Sequence, residues 1–341
     1  MARSGVAHDT LAALGAGGVG SGVLTPMPLL VRSGAEADIV AATERRVPGI
    51  RMAVVAPSGR DGVTEVVVVP TQETVDNTSV AVVSSVRDAT KDLPGYVGVT
   101  GRGAIVLDYQ RAVFDDFLHV LGLIALVTFV LLVRTFRSLL LPLKAVLLNL
   151  VSVAAVFGMI TWFWQDGHGS NAVFGIAATG ALTFWLPVLI FAFLFGLSMD
   201  YEVFILARMR EEYDRTGSTA YAVEHGLGRT GRLVTSAALF LFFAFAALAS
   251  APGTDIKVLA TALGAGILLD ATVVRALLVP AMVSLFGKYN WWLPAGIARL
   301  LRVEPSPLIP DAVLPAGYTA DPHPPTQPAA DREPLLPEVR P

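Results

Sequence analysis

Asp200, Tyr201 and Glu202 stand together near the inner end of an otherwise apolar segment, FGLSMDYEVFILARMR, which runs from Phe195 to Arg210. Ionising a carboxylate near the centre of a bilayer costs about 2.5 to 3.5 kcal/mol even on lenient insertion scales, so carboxylates kept there usually take part in proton or ion movement. Apolar residues continue beyond Asp200 and basic anchors begin only at Arg208. We therefore expect Asp200 to be buried and Glu202 to be solvated nearer the interface. The alternative is that the span ends earlier and both are interfacial charges.

Four further polar side chains fall within apolar runs: Asp270, Arg275, Asn149 and Ser236. Asp270 and Arg275 have two interpretations. Either they support transport, or Arg275 extends to the cytoplasmic surface while Asp270 offsets its charge. Asn149 and Ser236 are expected to form hydrogen bonds between helices.

Composition favours a membrane protein, since the 341 residues are 54% hydrophobic and only 16% charged, with a mean hydropathy of +0.61. Soluble domains are nearer one-quarter charged. The net charge of −3 argues against a nucleic-acid partner. The chain has no cysteine and its five histidines are scattered, so we expect no metal and no thiolate chemistry.

Two enzyme or cofactor interpretations are weak. The glycines at Gly15, Gly17 and Gly20 fit GxGxxG but lack the preceding strand that a nucleotide site requires, so we expect no cofactor. Intramembrane aspartyl proteases resemble one another in a GxGD motif, whereas Ile267 to Leu269 precede Asp270 here. We expect no enzymatic activity.

Five apolar runs are long enough for the roughly 20 residues of a membrane-spanning helix. They form a predicted membrane domain over residues 116–285, with spans at about 117–133, 139–164, 185–207, 233–251 and 256–283. Basic residues such as Arg137, Arg215 and Lys288 cluster in alternate connections, and the positive-inside rule assigns those connections to the cytoplasm. The N-terminus is therefore predicted outside and the C-terminus inside.

The regions on either side of the membrane domain differ in character. Residues 1–115 are predicted to be extracytoplasmic, with strands at 23–32, 50–56, 63–69 and 96–100 and helices at 35–46 and 77–93. This β-α-β-β-α-β order is that of a ferredoxin-like α+β unit. Residues 286–341 are predicted to be a cytoplasmic, proline-rich, disordered tail.

Three stretches together, GLSMDYEVFILARMREEY, GRTGRLVTSAALFLFFAF and GAGILLDATVVRALLVPA, resemble the second half of an MMPL-family transporter of the resistance-nodulation-division superfamily. The resemblance implies an α-helical membrane bundle with a porter subdomain that handles cargo. It implies proton-driven export of lipids or other hydrophobic compounds from the inner membrane. It also implies that Asp200 and Tyr201 are this half's contribution to a proton relay.

Members of that family resemble two pseudo-repeats, each contributing an Asp-Tyr pair, whereas this sequence contains one such pair. Nothing before Phe117 has the pattern of a signal peptide. We therefore keep three hypotheses: a half-transporter that needs a first-half chain or a second copy of itself, an orphan fragment without transport activity, and a membrane-anchored binding or assembly module.

Overall fold

The computed structural model describes residues 6–74 and 80–314. Within these residues, five helical segments are long and apolar enough to cross a membrane. Their bounds are Arg102–Phe136, Leu140–Gln165, Leu186–Thr216, Thr219–Leu248 and Thr254–Trp291. The predicted number and order of spans are confirmed.

The spans contain several helices with separate bounds. These are α4 (Arg102–Phe114), α5 (Phe117–Phe136), α6 (Leu140–Ile160), α8 (Leu186–Thr216), α9 (Thr219–Leu248), α10 (Thr254–Leu269) and α11 (Val279–Phe286). The short α7 (Ser170–Phe174) lies between α6 and α8. Helix α8 extends beyond its predicted bound to Thr216, because the charged residues that follow its apolar stretch are good helix formers. Helix α9 begins at Thr219 instead of residue 233, and residues of this early part such as Ala222 and Gly226 are buried. Gly217, in the left-handed conformation with a φ of 66°, ends α8.

The last span is not a regular α-helix. A π-helical segment, Asp270–Leu278, separates α10 from α11, and the N–H of Val279 bonds to the carbonyl of Val274 five residues earlier. A second π turn, Thr161–Gln165, ends the span that begins with α6. Such wide turns often occur at functional sites.

The N-terminal domain contains a four-stranded antiparallel sheet in the order β2-β3-β1-β4. Its elements are α1 (Val6–Ala16), β1 (Met27–Arg32), α2 (Glu36–Arg46), β2 (Ile50–Arg60), β3 (Val63–Pro70), α3 (Ala81–Thr90) and β4 (Tyr96–Val99). After α1 and a 3-10 turn at Ser21–Leu24, the elements follow the predicted β-α-β-β-α-β order. The ferredoxin-like α+β fold is therefore confirmed.

Alternation along the strands builds the core of this domain. In β1, Met27, Leu29 and Val31 have no exposed surface, and they pack with buried side chains of α2 and α3 such as Ile39 and Val83. Intervening residues point to the other face of the sheet, as strand geometry requires. This second face carries exposed apolar side chains, including Leu30, Met52 and Val54.

Two local predictions need adjustment. The strand predicted at 50–56 extends to Arg60, because Asp61 and Gly62 both adopt positive φ and form a tight two-residue hairpin. The helix predicted at 77–93 is observed as Ala81–Thr90, and residues 75–79 lie outside the described residues.

The chain divides into two compact units. The first comprises residues 1–126, 155–192 and 246–262, and includes the α+β domain. The second comprises residues 127–154, 193–245 and 263–341, and includes α8 from residue 193 onward and the π-helical segment of the last span.

The prediction of a disordered tail is wrong for residues 286–314. This segment forms a 3-10 helix (Gly287–Trp291) and the helix α12 (Ala295–Leu301). Trp291 is 1% exposed, stacks on Tyr213 with ring centres 4.2 Å apart, and donates its indole N–H to the Thr219 hydroxyl at 2.9 Å. The burial of Trp291 therefore fixes the start of the segment that was predicted to be disordered. Residues 315–341 lie outside the described residues.

Candidate functional site

A buried polar cluster lies in the second unit, where α8 packs against the π-helical segment. Asp270 and Arg275 form an ion pair. The Ser198 hydroxyl donates to Asp270 Oδ1 at 2.9 Å, and Arg275 Nη2 donates to the Ser198 carbonyl at 2.7 Å. Asp270 is 8% exposed and Arg275 3%. Ser198 thus links both members of the ion pair to α8.

The π-helical segment explains how Asp270 reaches Arg275. Residues five apart on an α-helix point about 140° away from each other. In a π-helix the backbone bonds join residues five apart, which brings such residues onto neighbouring turns of the same face. Because Arg275 is buried in this arrangement, the interpretation in which it extends to the cytoplasmic surface is wrong.

Tyr201 contacts the same cluster. The guanidinium carbon of Arg275 lies 5.0 Å from the centre of the Tyr201 ring, within the range of a cation–π interaction. Tyr201 is partly buried, and it lines a small cavity of about 20 Å³ together with Asn149, Ser198, Asp270 and Arg275. A cavity of this size has room for one water molecule.

Asn149 joins α6 to α8, as predicted for an interhelical group. Its side-chain amide donates to the Phe195 carbonyl at 3.2 Å. Asn149 Oδ1 and Arg275 Nε are buried and have no hydrogen-bond partner among the residues that the structure describes. Both residues line the small cavity, where Asn149 contributes an unpaired acceptor and Arg275 an unpaired donor.

The predicted burial of Asp200 in the membrane stays a prediction, and no helix of the described chain covers this residue. Asp200 is exposed on the surface of the chain. Successive residues of an α-helix are rotated by about 100°, so Asp200 lies about 200° from Ser198 and from Glu202. The face of α8 that carries Ser198 packs inward, and Asp200 is therefore directed outward.

Glu202 is the buried carboxylate that sequence reasoning missed. It is 3% exposed, whereas we predicted that it would be solvated. Asp270 and Arg275 are the charged groups that act on it electrostatically. Helical periodicity contained the signal, since Glu202 is four residues after Ser198 and three before Ile205, both buried.

Ser236 does not join two helices. Its hydroxyl donates to the Leu233 carbonyl at 2.9 Å, within α9, and the residue is exposed. A serine hydroxyl often bonds to a carbonyl of the preceding helical turn, which leaves it unavailable for a neighbouring helix. The predicted interhelical role is wrong in this chain.

Asp200 belongs to an exposed stripe along α8, which we call the Asp200 stripe. Its six members recur at spacings of three and four residues: Phe193, Gly196, Asp200, Phe204, Ala207 and Glu211. This spacing marks one face of an α-helix. Small residues such as Gly196 and Ala207 allow close approach between helices in membranes.

A larger cavity lies in the first unit. It has a volume of about 540 Å³, within the range of small-molecule sites. Apolar and aromatic residues such as Ile105, Phe184 and Trp185 line it, and Arg102 and Asp255 add charge. The Thr183 hydroxyl donates to Asp255 Oδ1 at 2.6 Å, which fixes the carboxylate in the cavity wall.

Comparison with known proteins identifies relatives of this chain. The MMPL family model matches residues 37–307. A putative membrane protein of Streptomyces coelicolor is 43% identical over 217 residues, which cover 64% of this chain and 30% of that protein.

Two mycobacterial relatives have names that state an activity. The heme uptake protein MmpL11 of Mycobacterium tuberculosis is 39% identical over 209 residues, covering 60% of this chain and 21% of the relative. The trehalose monomycolate exporter MmpL3 of Mycolicibacterium smegmatis is 39% identical over 207 residues, covering 60% of this chain and 20% of the relative. The matched part of the chain thus spans less than a third of each of these relatives.

Proposed function

The chain belongs to the MMPL family, and from this membership we propose that it is one half of a proton-driven transporter for lipids or other hydrophobic compounds. The chain is a multi-pass membrane protein. The direction that we propose is export across the cytoplasmic membrane, with residues 1–115 outside and the C-terminus inside. The basic residues of alternate connections support this orientation.

The main support for this proposal is that the Asp200 side chain is exposed on the surface of the chain. Asp200 is 14 residues from the start of α8, or about 21 Å along a helix that crosses a hydrocarbon core of about 30 Å. A carboxylate at that depth is costly against lipid and faces protein or a water-filled path instead. The Asp200 stripe is therefore a protein-facing surface, and the equivalent helix of the other transporter half is the partner that we propose.

The α+β domain supports the same partner. The face of its sheet that carries Leu30, Met52 and Val54 is apolar, and each of these side chains is more than 40% exposed. Apolar patches of this kind mark interaction surfaces in proteins. A second α+β domain, supplied by the other half, is the occupant that we propose for this face.

In the proposed mechanism Asp200 and Tyr201 form the proton relay. Asp200 faces the partner half, while Tyr201 contacts Arg275 on the side of the buried cluster. The two adjacent residues therefore link the partner-facing surface to Asp270 and Arg275. Each proton that crosses 100 mV supplies about 2.3 kcal/mol, enough to bias a conformational equilibrium.

The 540 Å³ cavity is the cargo site that we propose in this half. Its apolar walls suit a hydrophobic compound, and Arg102 and Asp255 suit a polar head group at its rim. Two relatives are named as a trehalose monomycolate exporter and a heme uptake protein. Hydrophobic cargo for this chain is consistent with both names.

Cross-linking tests the proposed partner, and the absence of native cysteine makes it simple. We expect Gly196→Cys, on the Asp200 stripe, to form a disulfide with a cysteine in the equivalent helix of a co-expressed MMPL first half. Ile205→Cys is the matched control, because Ile205 is 2% exposed on the inward face of α8. Cross-links only between copies of this chain would identify a homodimer. No cross-link at Gly196, with normal insertion, would favour the orphan fragment or the binding module.

Transport itself is tested with both halves in one membrane. We expect lipid export that stops when the proton gradient is collapsed, and no export with this chain alone. Export that persists without a gradient would contradict proton coupling.

A further inference from the structure

Two buried carboxylates in this chain share a single cation. Asp270 and Glu202 are 8% and 3% exposed, and Arg275 is the cation that acts on both. With all three groups ionised the cluster has a net charge of −1. Burying an uncompensated charge is unfavourable, so one bound proton makes the cluster neutral.

The hydrogen bonds distinguish the two carboxylates. Asp270 accepts from the Ser198 hydroxyl at one oxygen and from Arg275 at the other, so it is fully paired as an anion. The Glu202 carboxylate makes no hydrogen bond with the residues that the structure describes. Hydrogen bonds and an adjacent cation stabilise the ionised form of a carboxylate, and burial without them stabilises the protonated form.

Position on α8 keeps Glu202 beside the pair. Glu202 is one helical turn after Ser198, about 6 Å along the axis and on the same face. Ser198 is the residue that contacts both Asp270 and Arg275. The packing that joins α8 to the π-helical segment therefore also places Glu202 next to the ion pair.

Two cations on the helices next to α8 bond elsewhere. Lys144 of α6 donates to Asn290 and to the Met282 carbonyl, and Arg229 of α9 donates to Glu212 at 2.7 Å. On α8 itself, the neighbouring Tyr201 lies over Arg275. Arg275 is therefore the cation on the side of α8 that carries Ser198 and Glu202.

We propose that Glu202 is a proton-binding site contained within this chain alone, which takes up and releases one proton while Asp270 stays ionised beside Arg275. The proton binds a carboxylate oxygen of Glu202, and the same O–H bond breaks on release. This site is additional to Asp200, which faces the other half, and it places proton binding within the proposed transport function. Proton binding by the isolated chain does not require transport, so the two proposals fail separately.

Infrared difference spectroscopy on the purified chain in lipid nanodiscs tests this site. A step from about pH 6 to about pH 9 tests whether this buried glutamic acid exchanges its proton with the solvent. We expect loss of the C=O stretching band of a protonated carboxylic acid in the parent chain. The band should be absent in Glu202→Gln and should remain in Asp200→Asn.

Glu211→Gln is the matched control, since Glu211 is an exposed glutamate of the same helix that pairs with Arg208 at 2.6 Å. This variant should retain the band. A band that persists in Glu202→Gln, or one that disappears in Asp200→Asn, overturns the proposal. If Glu202→Gln does not fold, Glu202→Asp must shift the band in frequency, and an unshifted band overturns the proposal equally. Failed transport with an intact Glu202 band would instead contradict the transport function.

Discussion

Asp200 and Glu202 are two residues apart on α8 and face opposite sides of the helix, Asp200 outward and Glu202 into the buried cluster at 3% exposure. A rotation of about 200° between them follows from helix geometry. One helix therefore presents a carboxylate to each side, one toward the proposed partner and one toward the ion pair of its own chain. Their separate contributions can be measured by replacing each alone.

We predict that Asp200→Asn abolishes export by the assembled transporter, because the amide cannot exchange a proton. Membrane insertion and expression should be unchanged, since the side chain is exposed and keeps its size. Export of labelled lipid, normalised to protein in the membrane, measures the effect. Glu224→Gln, which changes an exposed carboxylate of α9 outside the Asp200 stripe, should export normally, and normal export by Asp200→Asn would remove Asp200 from the mechanism.

Tyr201→Phe should weaken transport less than Asp200→Asn. The substitution removes the hydroxyl and retains the ring that lies 5.0 Å from the Arg275 guanidinium. Tyr201→Ala should have a larger effect than Tyr201→Phe, because it also removes the cation–π contact. Initial rates of export for the three variants measure this order. Equal rates for Tyr201→Phe and Tyr201→Ala would show that the ring contributes nothing.

Breaking the Asp270–Arg275 pair should destabilise the second unit. Removing one partner of a buried ion pair typically costs about 3 to 5 kcal/mol, because the other charge is left uncompensated. We expect this loss for Arg275→Met, which leaves two carboxylates without a cation, and a smaller loss for the double variant Asp270→Asn/Arg275→Met. Unfolding in detergent measures both, and a double variant less stable than Arg275→Met would contradict the pairing argument.

Two adjacent tryptophans provide a matched test of the C-terminal segment. Trp291→Ala should destabilise the protein by about 3 to 5 kcal/mol, the usual cost of truncating a large buried aromatic residue. It also removes the hydrogen bond to Thr219 and the stacking on Tyr213. Trp292→Ala should cost much less, because Trp292 is 39% exposed. Thermal unfolding compares the two, and equal losses would argue against a specific role for Trp291.

Single cysteines should report the orientation of the chain. Ser33 is exposed beside the β2–β3 hairpin, where its N–H bonds to the Gly62 carbonyl at 2.9 Å. Ala220 is exposed near the start of α9. In whole cells, an impermeant thiol reagent should label Ser33→Cys and leave Ala220→Cys unlabelled. The reverse pattern would invert the proposed topology.

Element order was predictable because it depends on patterns that the chain carries locally. Apolar runs of about 20 residues located the five spans, and alternation between turn residues located the strands. The end of α8 was not predictable from hydropathy, because a helix continues into water when its polar residues favour helix formation. The early start of α9 depends on the burial of residues such as Ala222 and Gly226, which hydropathy does not report. The disordered tail was predicted from its prolines. Up to residue 314 the chain is instead held by contacts such as the stacking of Trp291 on Tyr213 and the backbone bonds of Ser306 with Leu293 and of Ala312 with Gly217.

The buried position of Glu202 was missed for a different reason. Hydropathy estimates the depth of Asp200 in the membrane but gives no information about which face of α8 it occupies. The 3.6-residue period does contain that information, and it would have placed Glu202 on the buried face that carries Ser198. The pairing of Asp270 with Arg275 depends on a π-helical segment, and a spacing of five residues does not indicate such a pair on an ordinary α-helix.

Helix α8 is unbroken over 31 residues, a length of about 46 Å that exceeds the hydrocarbon thickness by about half. Tyr213, about 20 Å beyond Asp200 on this helix, is the residue against which Trp291 stacks. We expect a tilt or twist of α8 at mid-membrane to change the contact between the Tyr213 and Trp291 rings. Trp291 is thus a natural fluorescent reporter, on the basic side of the membrane, of motion that begins at Asp200 within the membrane-spanning part of α8.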